Sequence, residues 1–175
     1  TGGVIAASAD TVAALREQAK MLGSTPSPMD AWLSLRGIKT LPLRFERQCR
    51  SSAAIARQLA EDPRVARVLY PADGNPGGQF RSDLRGAMVA FEVAGAGQAE
   101  IFRLMSALEL VVPATTLGDV YSLALYPAMA SHRALSPEER AAVGISDSLL
   151  RLSVGIEAPE DILADIDRAL DAATA

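Results

Sequence analysis

One arginine and one polar loop are the residues of this chain best suited to chemistry. Arg151 opens an apolar stretch, and its guanidinium offers paired donors that match the two oxygens of a carboxylate. Thr115 and Thr116 bring hydroxyl groups, and Gly118 follows them closely. An arginine beside such a loop would bind a small carboxylate, such as that of an amino acid. Taken alone, Arg151 has a second interpretation as a surface residue or ion-pair partner.

The single cysteine and the single histidine indicate no further reactive site. Cys49 cannot form an internal disulfide and suits a reducing compartment, so we expect a cytoplasmic protein. It lies in a helical pattern without partners for a catalytic thiolate, so we expect it to be packed rather than nucleophilic. An isolated His132 cannot build a metal cluster, and we predict no metal site.

Composition excludes several classes of partner. Of 175 residues, 49% are apolar and 22% are charged, which is typical of a globular protein with one substantial core and a rather apolar surface or subunit interface. The net charge of -4 and the absence of a basic stripe argue against a nucleic-acid partner. No apolar run is long enough to predict a membrane span, and the first residues do not resemble a signal segment.

Periodicity predicts alternating strands and helices, and therefore an α/β protein. Asp10 is the expected N-cap of the first helix, and Pro28 is expected in the first turn of the second. The predicted helices cover residues 10–19, 29–39, 42–59, 98–109 and 159–172. The predicted strands cover residues 2–7, 65–70, 87–93 and 149–154, with a loop over 71–78. The charged face of the helix over 42–59 is expected to be solvated or interfacial.

A series of ordered motifs runs through the chain. They are Asp30-Ala31-Trp32, Leu35-Arg36-Gly37-Ile38-Lys39-Thr40-Leu41-Pro42-Leu43-Arg44, Thr116-Leu117-Gly118-Asp119, Pro127-Ala128, His132, Ser136-Pro137-Glu138-Glu139-Arg140, Gly144-Ile145-Ser146 and Arg151-Leu152-Ser153-Val154-Gly155-Ile156-Glu157. In this order the sequence resembles the trans-sulfuration, or Cys/Met metabolism, family of pyridoxal-phosphate enzymes. The resemblance covers nearly the whole chain.

The resemblance implies the fold type I architecture of pyridoxal-phosphate-dependent transferases. Residues 1–41 would complete the large cofactor-binding domain, and residues 42–175 would form the small C-terminal α/β domain with its connecting helix. The Schiff-base lysine of the family would lie upstream of Thr1, and neither Lys20 nor Lys39 matches it. We therefore expect the C-terminal part of an enzyme, inactive without its N-terminal remainder, with pyridoxal 5'-phosphate as cofactor and a homotetrameric assembly.

The resemblance also suggests roles in substrate binding. Arg151 would hold the α-carboxylate of a sulfur-containing amino acid, with Thr116 and Thr115 nearby. Cystathionine-cleaving members often carry Glu in place of Thr115 and Tyr121, whereas Asp119 resembles the methionine γ-lyase and homoserine sulfhydrylase branches. The favoured activity is γ-elimination from methionine or homocysteine to a thiol, ammonia and a 2-oxo acid. The alternatives are γ-replacement, as in cystathionine γ-synthase or O-acylhomoserine sulfhydrylase, and a non-catalytic assembly module.

Overall fold

The computed structural model describes residues 2–71 and 84–174, in two compact units, Thr1–Leu43 and Arg44–Ala175. The helices are α1 (Ala9–Leu22), α2 (Pro28–Ile38), α3 (Leu41–Glu61), α4 (Gln98–Ala107), α5 (Pro137–Ala142) and α6 (Pro159–Thr174), and a 3-10 turn covers Pro127–Met129. The strands are β1 (Val65–Leu69), β2 (Met88–Val93), β3 (Val112–Pro113), β4 (Leu123–Leu125) and β5 (Leu149–Ser153). The predicted loop over 71–78 lies, beyond Pro71, outside the described residues.

The first unit contains α1 and α2. The predicted strand over residues 2–7 is wrong: these residues are exposed and have no neighbouring strand to pair with among the described residues. The predicted N-cap at Asp10 is also wrong, because α1 begins earlier and the Ser8 hydroxyl accepts the Thr11 N–H at 3.4 Å. Asp10 lies instead in the first turn, where its negative charge interacts favourably with the positive end of the helix dipole.

Helix α2 begins as the sequence predicts. Ser27 is its N-cap and accepts the N–H of Asp30 at 3.1 Å, and Pro28 follows at the first helical position, where the missing N–H costs nothing. Neither α1 nor α2 buries a residue within the described structure. Large apolar side chains are exposed on this unit, among them Met21, Met29 and Trp32.

The second unit is built on a five-stranded mixed sheet in the order β1-β2-β5-β4-β3. All neighbouring strands are antiparallel except β3 and β4, which are parallel. Strand β5 is therefore central. The core is formed by one face of this sheet with α3, α4 and α6, and includes Ile55, Phe91, Leu104, Leu150 and Ile166. The α/β class and the helices over 42–59, 98–109 and 159–172 are confirmed, with ends shifted by a few residues.

Two charged clusters fasten α6 to the rest of the second unit. The buried Asp165 carboxylate accepts three backbone N–H groups, from Glu109 at 2.9 Å and from Leu110 and Val111 at 2.9 and 2.8 Å. At the other cluster, Arg64 binds Asp62 beside it in the sequence and also Asp167 and Asp171 of α6.

Candidate functional site

Arg151 lies on the face of the sheet opposite the main core. Side chains alternate along β5, and the flanking Leu150 and Leu152 both belong to the core cluster. Arg151 therefore projects from the other face, where Ala90 of β2 and Leu125 of β4 are its directly opposite neighbours. The central position in the sheet fixes the base of a long, flexible side chain.

The guanidinium of Arg151 makes only weak contacts with the described residues. Its Nη2 lies 3.4 Å from the carbonyl oxygen of Thr115 and 3.5 Å from that of Thr116, which is long for hydrogen bonds. Its Nε is shielded from solvent and has no partner among the described residues. An unsatisfied buried donor is costly, so a ligand with an anionic acceptor would gain from supplying the missing bond.

The loop over residues 114–122 connects β3 to β4 and carries Thr115 and Thr116, both exposed. Gly118 has a φ of 82°, a left-handed conformation that favours glycine, so the chain can turn two residues after Thr116. The structure thus brings the guanidinium of Arg151 close to the backbone carbonyl groups of Thr115 and Thr116.

This loop is attached to the segment that follows Arg151. The Gly118 N–H donates to the Ser153 hydroxyl at 3.0 Å, and the Ile156 N–H donates to the Val120 carbonyl at 2.9 Å. Helix α3 adds a third attachment, since the Gln48 side-chain amide donates to the Asp119 carbonyl at 2.7 Å. These contacts hold the loop close to Arg151.

The last attachment involves Glu157, which the sequence analysis assigned no role beyond its motif. One carboxylate oxygen accepts the N–H of Ser122 at 2.7 Å, and the other accepts the Ser122 hydroxyl at 3.0 Å. The same hydroxyl accepts the Gly155 N–H at 2.9 Å. The partners are 35 and 33 residues apart, and no local spacing rule could have paired them.

The other residues considered from the sequence lie elsewhere. Cys49 is buried in α3, as expected. His132 is partly exposed, and its Nδ1 lies 2.8 Å from the Ser131 hydroxyl. Arg140, from the motif that begins at Ser136, has a buried guanidinium that pairs with Asp147 at 2.9 Å. Within the described ranges, no group of metal-binding side chains is assembled, and none of the helices combines the length and the hydropathy that a membrane span requires.

Comparison with known proteins gives one consistent result. The family model described as Cys/Met metabolism PLP-dependent enzyme matches residues 1–171. L-methionine gamma-lyase of Streptomyces avermitilis is 42% identical over 168 residues, which cover 96% of this chain and 37% of that protein. Cystathionine gamma-lyase of Mus musculus is 42% identical over 164 residues, which cover 91% of this chain and 41% of that protein.

A solved structure agrees with the sequence relatives. The crystal structure of cystathionine gamma synthase from Xanthomonas oryzae pv. oryzae, in complex with aminoacrylate and cysteine, matches with a TM-score of 0.84 and 39% identity, over 97% of this chain and 45% of that one. The expected fold of pyridoxal-phosphate-dependent transferases is thereby confirmed. The chain spans less than half the length of these relatives. On this evidence the chain belongs to the family of pyridoxal-phosphate-dependent enzymes of cysteine and methionine metabolism.

Proposed function

We propose that this chain supplies the α-carboxylate-binding part of a pyridoxal-phosphate-dependent carbon–sulfur lyase. The reaction is γ-elimination: with one molecule of water, methionine gives methanethiol and homocysteine gives hydrogen sulfide, each together with ammonia and 2-oxobutyrate. The observation that carries the proposal is the Arg151 guanidinium, whose Nε has no partner in the described part of the chain and whose Nη2 makes only two long contacts.

The proposed role of Arg151 is to bind and orient the substrate. A carboxylate that binds a guanidinium through both oxygens is fixed in its plane as well as in its position. Fixing the α-carboxylate fixes the bonds at the α-carbon, which lowers the entropy cost of reaching the reactive geometry. Thr116 would donate or accept through its hydroxyl at the same place, with Thr115 beside it.

The cofactor supplies the chemistry that side chains lack, because pyridoxal phosphate acts as an electron sink for carbanions. Lys20 and Lys39 are the two lysines of the sequence, and both are exposed. Lys20 pairs with Glu17 at 2.6 Å. Neither has the desolvated surroundings of a lysine that reacts with an aldehyde, so we infer that the cofactor lysine and the cofactor-binding residues belong to another part of the complete protein.

The loop favours a substrate without a distal charged group. Thr115 is exposed and uncharged, and Tyr121 is 62% exposed and likewise offers no carboxylate. A distal ammonium group, as in cystathionine, would be expected to meet a carboxylate here. Asp119 accepts the N–H of Val120 at 2.6 Å and so takes part in the turn. These features support methionine or homocysteine rather than cystathionine.

The test is a substrate screen on the complete protein loaded with pyridoxal phosphate. We expect L-methionine to yield 2-oxobutyrate, ammonia and methanethiol in equal amounts, and L-homocysteine to yield 2-oxobutyrate, ammonia and hydrogen sulfide in equal amounts. We expect L-cystathionine to react more slowly. Condensation of an O-acylhomoserine with cysteine or sulfide, without 2-oxobutyrate from methionine, would replace elimination by the γ-replacement alternative.

A role in assembly has its own supporting observation. Helices α1 and α2 bury none of their residues, and the exposed Met29 and Trp32 are unusual for a surface in contact with water. We propose that this unit contributes to contacts in a homotetramer and to the large domain.

Light scattering on the complete protein, with Trp32→Glu as the variant, tests the assembly: loss of the tetramer is expected. A complete protein that is tetrameric but shows no pyridoxal-phosphate absorbance and no turnover would favour the non-catalytic module.

A further inference from the structure

We propose that Glu157 is a positioning residue for the carboxylate site, acting through Ser122 on the loop over residues 114–122. The proposal rests on the proposed function of Arg151. Glu157 contacts neither Arg151 nor the two threonines in the described structure; its effect is on the loop that carries Thr115 and Thr116 to the guanidinium.

The loop needs contacts from outside itself. Most of its residues are exposed and it contains no helix or strand, so ordering it costs conformational entropy that its own contacts do not repay. Its last residue, Ser122, is by contrast fully buried. A single well-held buried residue at one end can restrict the whole segment.

Glu157 makes the strongest attachment at that end. Both of its carboxylate oxygens accept from Ser122, one from the N–H at 2.7 Å and one from the hydroxyl at 3.0 Å. Hydrogen bonds to an ionised acceptor are stronger than neutral ones. Within the described residues Glu157 makes no ion pair, so its carboxylate charge is balanced mainly by these two hydrogen bonds.

The packing around Gly155 shows that this arrangement is closely fitted. A Cβ on Gly155 would lie 2.2 Å from a Glu157 carboxylate oxygen, 2.4 Å from the Val120 carbonyl oxygen and 2.6 Å from the Ser122 nitrogen. Only glycine leaves room for the carboxylate and the loop backbone to meet there. In addition, Arg47 of α3 donates to the Glu157 carbonyl at 3.1 Å, which holds the backbone of Glu157 in place.

The attachment is transmitted to the site through the backbone. Ser122 is fixed by Glu157, Val120 by Ile156, and Gly118 by Ser153, which lies on the same face of β5 as Arg151. Loss of the Glu157 carboxylate releases Ser122 from Glu157, so that the loop is held mainly by its contacts at Val120, Asp119 and Gly118. The expected consequence is a carboxylate site that is less well formed before the ligand binds, and therefore weaker.

The test measures ligand binding by the complete, cofactor-loaded protein. The probe is L-norleucine, which matches methionine in length but has no sulfur leaving group, so the result does not depend on elimination or replacement. We expect Glu157→Ala to raise Kd about tenfold, as expected for the loss of bonds to a charged acceptor. Glu157→Gln keeps an acceptor for the Ser122 N–H and should stay within about threefold of the parent. Glu160→Gln removes an exposed charge three residues away and is the matched control, with no change expected.

Hydrogen exchange separates a local effect from general destabilisation. In Glu157→Ala the amides of Ser122 and Gly155 should exchange faster, whereas the amide of Leu152 in the central strand should not change. Faster exchange at Ser122 with an unchanged Kd would overturn the proposal. Equal acceleration at Leu152, with binding lost in Glu157→Gln as well, would also overturn it by assigning Glu157 to global stability.

The failure of this proposal can be told apart from failure of the proposed function. Arg151→Lys in the same titration tests the carboxylate site directly. If Arg151→Lys binds L-norleucine as the parent does, the function proposed for Arg151 fails. If Arg151→Lys binds weakly but Glu157→Ala binds normally, only the role of Glu157 is lost.

Discussion

Asp165 accepts the backbone N–H of Val111 at 2.8 Å within the interior of the second unit. The neighbouring N–H groups of Glu109 and Leu110 point to the same carboxylate. Three consecutive amides that would otherwise lack partners at the end of α4 are thereby satisfied. The contact also sets the start of β3, from which the loop over residues 114–122 continues.

Asp165→Asn should destabilise the protein by about 2–4 kcal/mol at pH 7, because the amide replaces one acceptor by a donor that faces a backbone N–H. Burial opposes ionisation of Asp165, but the backbone donors at 109–111 and Arg168 hold its pKa below the ordinary 3.8. Because the pKa of Asp165 is lower in the folded protein, its ionised carboxylate adds stability above pH 3.8. That stability is lost as the pH falls from 3.8 through the lowered pKa. The difference from the parent should therefore shrink below pH 3.8.

Chemical denaturation at several pH values measures this effect. Asp161→Asn, at an exposed position in the first turn of the same helix, is the control and should change stability little. A gap between parent and Asp165→Asn that stayed constant down to pH 2 would contradict the stated cause.

Arg64→Gln should lower stability by about 1 kcal/mol, with a smaller loss in concentrated salt. Arg64 binds Asp62, Asp167 and Asp171, but the last two are largely exposed, and exposed pairs are screened by ions. A hydrogen bond from Arg64 lowers the pKa of Asp62, and burial only partly opposes it. Melting temperatures in low salt and in 1 M salt should show the gap narrowing. An equal loss in both would assign the effect to lost packing of the arginine stem.

If Arg151 binds the α-carboxylate as proposed, Arg151→Lys should lower kcat/KM for L-methionine by about 10-fold to 100-fold, mainly through KM, because a lysine offers a point charge in place of a planar fork. Arg151→Ala should lose more. Steady-state kinetics with the complete protein give the result, and thermal melting checks that the strand is intact. Arg50→Lys, on the exposed side of α3, where Arg50 pairs with Glu46, serves as the matched control. Equal kinetics for Arg151→Lys and the parent would rule out a bidentate carboxylate contact.

Gly155→Ala should be far more damaging than a glycine-to-alanine change at an open helical position such as Gly37. The new methyl group would overlap two backbone atoms and the Glu157 carboxylate, so the loop must move, at a cost of about 1–3 kcal/mol. Gly37→Ala in α2 meets nothing within 4 Å and should not lower stability, since alanine favours helix. Equal unfolding midpoints for the two variants would show that the close contact at Gly155 is not present in solution.

Long, strongly patterned elements could be predicted from the sequence. The amphipathic pattern predicts α3 and α6, and the apolar residues on both sides of Arg151 predict β5. Strand β4 was missed because three residues are too few for an alternating pattern, and β3 was missed because it consists of Val112 and Pro113. The segment over 2–7 has the composition of a buried strand, but a strand requires a partner and none lies beside it in the described residues.

Some residues of the candidate site could be predicted from the sequence, and others could not. Arg151 and the threonine pair could be proposed from residue type and from resemblance, and the geometry brings them together. Glu157 and Gln48 could not, because their contacts with the loop join residues 35 and 71 positions apart. Such pairs are set by the topology of the sheet, which no local periodicity reports.

The order of the strands has a consequence for biosynthesis. Strand β5 joins β2 to β4, yet it is the last of the described strands to be made. Until residues 149–153 have been translated, β2 and β4 each present an unpaired edge, which is open to pairing with other chains. The edges of β2 and β4 that will later flank Arg151 are therefore the last strand edges of the described sheet to be protected from aggregation. A nascent chain stalled before Leu149 would carry the loop with no guanidinium for it to face.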